Sequence, residues 1–132
     1  MNDTNIAPAA VTADELNAFK AALSDLHHNG LKAAYPTCKY NWGRIDLRPG
    51  GRKFAKLVAE RPEFNEADEL VGYGQPSALC FIDLSNGNIL KADGWSRPAK
   101  HARGNIRRGD ASNLWNGAFT NLGGGIHTAY LR

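Results

Sequence analysis

Apolar positions between Thr12 and Gly30 fall at helical intervals: Leu16, Phe19, Leu23 and Leu26 recur three and four apart and form one stripe. Ahead of the stripe stands Thr12-Ala13-Asp14-Glu15, the spacing at which a hydroxyl and a carboxylate satisfy each other's orphan backbone N–H groups. A helix over 12–30 is predicted, with Gly30 as the permissive residue past its end. His27 and His28 fall in its last turn, where the carbonyl ends favour partial positive charge, so a capping role is expected. Neighbours on a helix point about 100° apart, which argues against a shared metal. Residues 1–11, small and polar with one Pro, read as a flexible tail.

After Tyr35-Pro36 the period becomes alternating, with Tyr40 and Trp42 on one side of a presumed strand and Ile45 and Leu47 on the other. Arg48-Pro49-Gly50-Gly51-Arg52 reads as a turn. Phe54 to Ala59 is a second strand candidate, although FAKLVAE also suits a short helix. Arg61 to Gly74, acidic and broken by Pro62, Gly72 and Gly74, is expected to be an exposed loop with a helical turn at Asn65 to Leu70. Ala78 to Leu84 and Asn88 to Ala92, divided by Ser85-Asn86-Gly87, give a hairpin with a type I′ turn. Pro98 to Arg103 suits one helical turn ended by Gly104, which puts Lys100 and Arg103 on one face. The remainder is turn-rich until Thr128 to Leu131, an ending expected to pack on the sheet. The fold class is α+β: a single domain over 12–132, with an N-terminal helix on a small antiparallel sheet, a central hairpin and a loop-rich C-terminal segment.

Composition adds bounds rather than identity. A chain of 132 residues with 42% hydrophobic and 22% charged residues is an ordinary globular domain that requires no metal or disulfide to fold. Cys38 and Cys80 lack CxxC spacing and are expected to be a reduced, buried pair, which fits a cytosolic protein. Neither a signal peptide nor a membrane span is predicted. The formal charge is +3 and unevenly placed. Acid gathers near the N-terminus and over Glu60 to Glu69, base over Arg44 to Lys56 and Lys91 to Arg108. In the second basic run Lys91, Arg97, Lys100, Arg103, Arg107 and Arg108 face one acid, Asp93. The alternation either brings two basic elements onto one face or scatters charge over a solvated surface.

Lys and Arg neutralise phosphates, and a Trp face can stack an unpaired base. The candidate nucleic-acid-binding residues are therefore Arg52, Lys53, Lys91, Trp95, Arg97, Lys100, Arg103, Asn105, Arg107 and Arg108. The partner expected is nucleic acid, bound non-specifically or single-stranded. A structural reading competes: Trp95 closes the hairpin as a core residue against Pro98, and Lys100 and Arg103 form a surface helix turn or are buried partners of Asp83 and Asp46. Catalysis has poorer candidates. His101 beside Lys100 and Arg103 is a possible base, and Asp83 with Asp93 a possible Mg²⁺ pair for a metal-dependent nuclease, but no diagnostic catalytic or metal motif can be assembled. No cofactor or metal site is predicted. A third class is a protein-binding role in which the basic patch meets an acidic protein surface.

The chain also carries Pro49, Gly50, Arg52, Lys53 and Phe54; then Phe81, Asp83, Gly87, Lys91, Trp95, Pro98, Ala99, Lys100, Arg103 and Asn105; then Ala129, Tyr130, Leu131 and Arg132. This set resembles a family of small uncharacterised proteins of tailed bacteriophages and prophages. The resemblance runs from about Tyr40 to the end and leaves out the N-terminal helix, which looks like an addition. Asp93-Gly94 and Ser96-Arg97 depart from that pattern in a local turn. The resemblance implies a phage-related origin and expression in the bacterial host cytoplasm during infection. It further implies either an accessory role or a place in the virion or on a host protein, including an anti-defence role. It carries no established activity.

Overall fold

The computed structural model describes residues 10–48 and 51–129. The predicted 1–11 tail, the Pro49-Gly50 turn and the Tyr130-Leu131 ending lie wholly or partly outside the described residues. The α+β class is as expected: one long helix, a five-stranded antiparallel sheet and a two-stranded second sheet.

Helix α1 spans Ala13–Ala34 and begins at the expected capping box: Thr12 Oγ1 accepts from Glu15 N–H at 3.1 Å, and the Glu15 carboxylate accepts from Thr12 N–H at 3.2 Å. It runs four residues past the predicted end. Gly30 lies inside the helix because a side chain there would collide with the Gly124 carbonyl oxygen, so the glycine serves close backbone approach and not termination. The histidines are likewise not end caps. His27 is buried, and its Nδ1 accepts the Ile126 N–H at 2.9 Å. His28 Nδ1 lies 3.0 Å from the Gly43 carbonyl oxygen.

The large sheet is a meander of β1 (Arg44–Arg48), β2 (Phe54–Phe64), β3 (Leu70–Asp83), β4 (Asn88–Ala92) and β5 (Pro98–Asn105), each strand pairing with its sequence neighbour. Ser24 Oγ on α1 accepts the Ile45 N–H at 3.1 Å, so the helix covers the edge that β1 would otherwise leave open. Ile45, Ala55, Leu57, Cys80, Ile82 and Ile89 join Phe19 and Leu23 of α1 in the core. Trp115, Ala118, Phe119 and Ile126 complete it from the C-terminal segment. Cys80 is in this core and Cys38 only half-buried, so the two do not form a buried pair.

Four further expectations fail. Arg61 to Gly74 is no loop: β2 and β3 continue through it as a two-stranded arm whose turn, Asn65 to Glu69, is closed by the Asn65 and Glu69 backbones at 3.0 Å. Pro62 is tolerated because β1 pairs only as far as Glu60, so beyond it β2 is an edge strand. Pro98 to Arg103 is not a helical turn but most of β5, where pairing with β4 overrides a local helix-start signal. Tyr40 sits in a 3-10 turn, Lys39–Asn41, before the first strand begins. The central hairpin is present, but Gly87 is its only left-handed residue (φ 84°), so the turn is not type I′.

The C-terminal segment contains a short helical turn, Leu114–Gly117, with left-handed backbone: φ is 52° at Leu114, 51° at Trp115, 61° at Asn116 and 84° at Gly117. Left-handed residues other than glycine normally occur singly, at a cost of roughly 1–2 kcal/mol each. Burial of Trp115 against Phe19 and Phe119, at ring-centroid distances of 4.8 and 5.9 Å, offsets that cost. The strands β6 (Phe119–Leu122) and β7 (Gly125–Thr128) follow. They return the chain to the sheet, where Thr128 Oγ1 donates to the Leu79 carbonyl at 2.8 Å. Among the described residues no helix is long and apolar enough to cross a membrane.

Candidate functional site

Strand register lines up one row across the sheet face opposite α1: Arg48, Lys56, Phe81, Leu90 and Ala102. Alternation explains its composition. In β2 Ala55 and Leu57 enter the core, which turns Phe54 and Lys56 outward; in β1 Ile45 enters it, which turns Arg44, Asp46 and Arg48 outward. At one end of this face lies a cleft of about 430 Å³ lined by Arg48, Gly51, Arg52, Lys53, Phe54, Lys56, Phe81 and Ser96. Phe81 is buried at its floor, whereas Arg52 and Lys53 are exposed at its rim.

The loop from β4 to β5 supplies the rest. Asp93 N–H donates to the Arg97 carbonyl at 2.7 Å, and Gly94 takes φ 104°, so the chain folds tightly and carries Trp95 and Ser96 to the cleft. Trp95 is 47% exposed, and the Lys56 ammonium sits 3.7 Å from its ring centroid. That contact is a cation–π pair at short range.

The cleft lining contains four cations and no carboxylate. Arg48 is the one held by acids: its Nη2 lies 2.7 Å from Glu60 Oε2 and its Nη1 3.6 Å from Asp46 Oδ2. Glu60, only 4% exposed, also takes Arg44 Nε at 2.9 Å, so two guanidiniums satisfy one buried carboxylate. Among the described residues Arg52, Lys53 and Lys56 have no acidic partner within ion-pair distance.

The structure therefore gathers Arg52, Lys53 and Trp95 of the predicted set and disperses the others. Arg97 shares the Trp95 loop but lies 3.6 Å from Asp93. Lys91 pairs opposite Cys80, on the reverse face, where it lines a separate hollow with Leu79, Thr120 and His127. Lys100 is exposed on β5 and outside the cleft lining. Arg103 does not share a helical face with it; its Nε and Nη1 are buried without a hydrogen-bond partner, so neither Asp83 nor Asp46 pairs with it. Asn105 is a structural residue, donating to the Asn86 carbonyl at 2.9 Å and to Asn88 Oδ1 at 3.0 Å. Arg107 makes a two-pronged pair with Glu15 at 2.7 and 2.9 Å, which holds the Glu15 carboxyl down at about 2. Arg108 is exposed in the turn beyond Asn105.

Sequence reasoning missed Arg48 and Lys56. Their local sequence reads as a turn and an ambiguous strand, neither of which defines an outward face. The signal was the alternation itself: once Ile45 and Leu57 are taken as core, Arg48 and Lys56 must share the other side.

The catalytic candidates do not converge. Asp83 Oδ1 is occupied by the Ser85 N–H at 2.9 Å and hydroxyl at 2.6 Å, and Asp93 faces Arg97. His101 is exposed on β5. Among the described residues no group of three or more His, Cys, Asp or Glu side chains is placed to hold a metal ion. Gly123-Gly124 forms the β6–β7 turn against α1, with Gly124 packed on Gly30 and Ala34, and Gly125 opens β7.

Geometry thus defines a small α+β domain with a basic, aromatic-floored cleft on the uncovered face of its sheet. The chain belongs to a family of unknown function, DUF7717, whose model matches residues 9–125. That match takes in α1, which the resemblance to phage proteins left out, and stops short of the closing residues on which that resemblance drew. No curated protein and no solved structure matches the chain.

Proposed function

We propose that the protein binds nucleic acid through the cleft between β1, β2 and the Trp95 loop, as a small phage-type accessory protein in the bacterial cytoplasm. The observation that carries this reading is the charge imbalance of the cleft: Arg52, Lys53 and Lys56 converge with no acid in the lining, beside an exposed Trp95. Converging cations without acidic partners lower the cost of bringing in a polyanion, and displaced counterions add to the affinity. Aromatic surface beside them gives bases a place to stack.

The experiment is a titration of labelled single- and double-stranded DNA and RNA at two salt concentrations. The Arg52→Ala/Lys53→Ala/Lys56→Ala variant serves as the loss-of-site variant and Lys100→Ala as the control outside the cleft. Salt-dependent binding that the triple substitution removes and the control keeps is the expected result. Binding indifferent to the triple substitution in a folded variant contradicts it.

A second reading, attachment to a virion or host protein, draws on the opposite end of the molecule. There Leu70 and Val71 are 51% and 62% exposed beside an apolar groove of about 230 Å³ lined by Trp42, Pro62, Phe64 and Tyr73. Exposed apolar side chains next to a groove are a feature of protein-binding surfaces.

A further inference from the structure

We infer that Lys56 is a latch joining the two halves of the cleft, and that the ligand it admits is a single strand presenting an unpaired base beside a backbone phosphate. This rests on the nucleic-acid reading above and narrows it. Lys56 both lines the cation cleft and lies over Trp95, 3.7 Å from the ring centroid. The ammonium has no carboxylate partner among the described residues; it lies closest to the indole, with a longer approach to Phe81, 6.0 Å from that centroid.

A phosphate entering the cleft offers this ammonium a full negative charge in place of a ring quadrupole. A charge-assisted hydrogen bond is the stronger interaction, so Lys56 transfers from Trp95 to the phosphate. The transfer uncovers the indole face next to the bound phosphate, and a base attached to that phosphate can take the vacated place by stacking. A paired base cannot do so, because its faces are occupied by its neighbours in the duplex. The cleft has the same bias, because a space of about 430 Å³ is too small to take in a duplex. Arg52 and Lys53, exposed at that rim, then follow the strand out of the cleft.

The test uses the full chain, a labelled 12-nucleotide single strand, a hairpin duplex of the same sequence, and inorganic tripolyphosphate. Single strand is expected to bind at least tenfold more tightly than duplex. Trp95→Ala is expected to erase that preference and, by removing the ring that holds Lys56, to bind tripolyphosphate at least as tightly as the parent; Trp95→Phe is expected to restore most of the preference. Trp95 is half-exposed, so both variants should melt as the parent does. Tripolyphosphate alone should alter indole emission in the parent, by drawing Lys56 away, and should do so in neither Trp95→Phe nor Lys56→Met.

Equal affinity for single strand and duplex, or tripolyphosphate that binds without changing emission, overturns the latch while leaving a polyanion site standing. Absence of binding to every nucleic acid overturns the latch and the nucleic-acid reading together.

Discussion

Two clusters on this molecule are built from the same materials, cations laid on aromatic rings, and differ in what neutralises the cations. At the arm end Lys39 stands 4.9 Å from the Phe64 centroid and also meets Asp68 Oδ2 at 2.9 Å. There too the Arg44 guanidinium is 4.3 Å from the Tyr73 centroid and bound to buried Glu60. At the cleft end Lys56 lies over Trp95, and Arg52 and Lys53 stand nearby, with no carboxylate in the lining. A cation–aromatic pair by itself therefore says little about function. Cations of the first kind hold the arm to the body of the domain, and those of the second kind are available to a partner.

The difference is open to attack from either side. Reversing the cleft charges with Arg52→Glu/Lys53→Glu/Lys56→Glu should weaken nucleic-acid binding at least about 100-fold in an anisotropy titration, since three phosphate contacts become repulsions. The matching change at the other end, Lys39→Ala, should alter binding less than twofold. A comparable loss from Lys39→Ala would erase the distinction.

Stability should respond in the opposite sense. Arg44→Ala leaves buried Glu60 with Arg48 alone and should lower the unfolding free energy by about 1–3 kcal/mol in urea melts, whereas Arg52→Ala should leave it unchanged within error. Equal effects would mean that the cleft cations are structural too.

Helix α1 gives a third test. Burial, followed by the charges of His127 and His28, pushes His27 down to about 4 from an ordinary 6.5. The unfolded chain takes up this proton first, so the contribution of neutral His27 is complete above about pH 6.5 and is lost as pH falls toward 4. Urea melts across that window should show a decline of roughly 1–3 kcal/mol, and His27→Gln should flatten it. An unchanged slope in that variant would assign the decline to other groups.

The smallest effect is expected at the left-handed turn. Asn116→Ala, at φ 61°, should cost about 1 kcal/mol, while Asn116→Gly should be neutral or stabilising. Equal melting temperatures for the two variants would show that the turn relaxes at little cost.

Much of the fold was legible in the sequence because its signals were local. The capping box, the stripe of Leu16, Phe19 and Leu23, and the hairpin around Gly87 each depend on residues a few positions apart. What failed depended on distant partners. Pro98 to Arg103 has the composition of a helix start and became a strand because β4 offered it a ladder. Gly30 has the place of a helix stop and became a packing glycine because Gly124 arrives there from far along the chain. The site was legible in part for the same reason: Trp95 and Arg52-Lys53 stood out as exposed chemistry, but Lys91, Asn105 and Arg107 were drawn off by β3, Asn86 and Glu15. Proximity in sequence had made one basic run look like one surface. The fold instead brings the later part of the first run, Arg48 to Lys56, beside the Trp95 loop.

If three cations without acidic partners make the cleft a phosphate site, the affinity for a labelled single strand must fall with salt. With Arg52, Lys53 and Lys56 each engaging one phosphate, log K should fall against log[salt] with a slope of about −2, roughly a 10- to 20-fold loss between about 50 and 200 mM. In the triple alanine variant the slope should collapse toward zero. A slope that survives those substitutions, or affinity that does not depend on salt, would contradict the account.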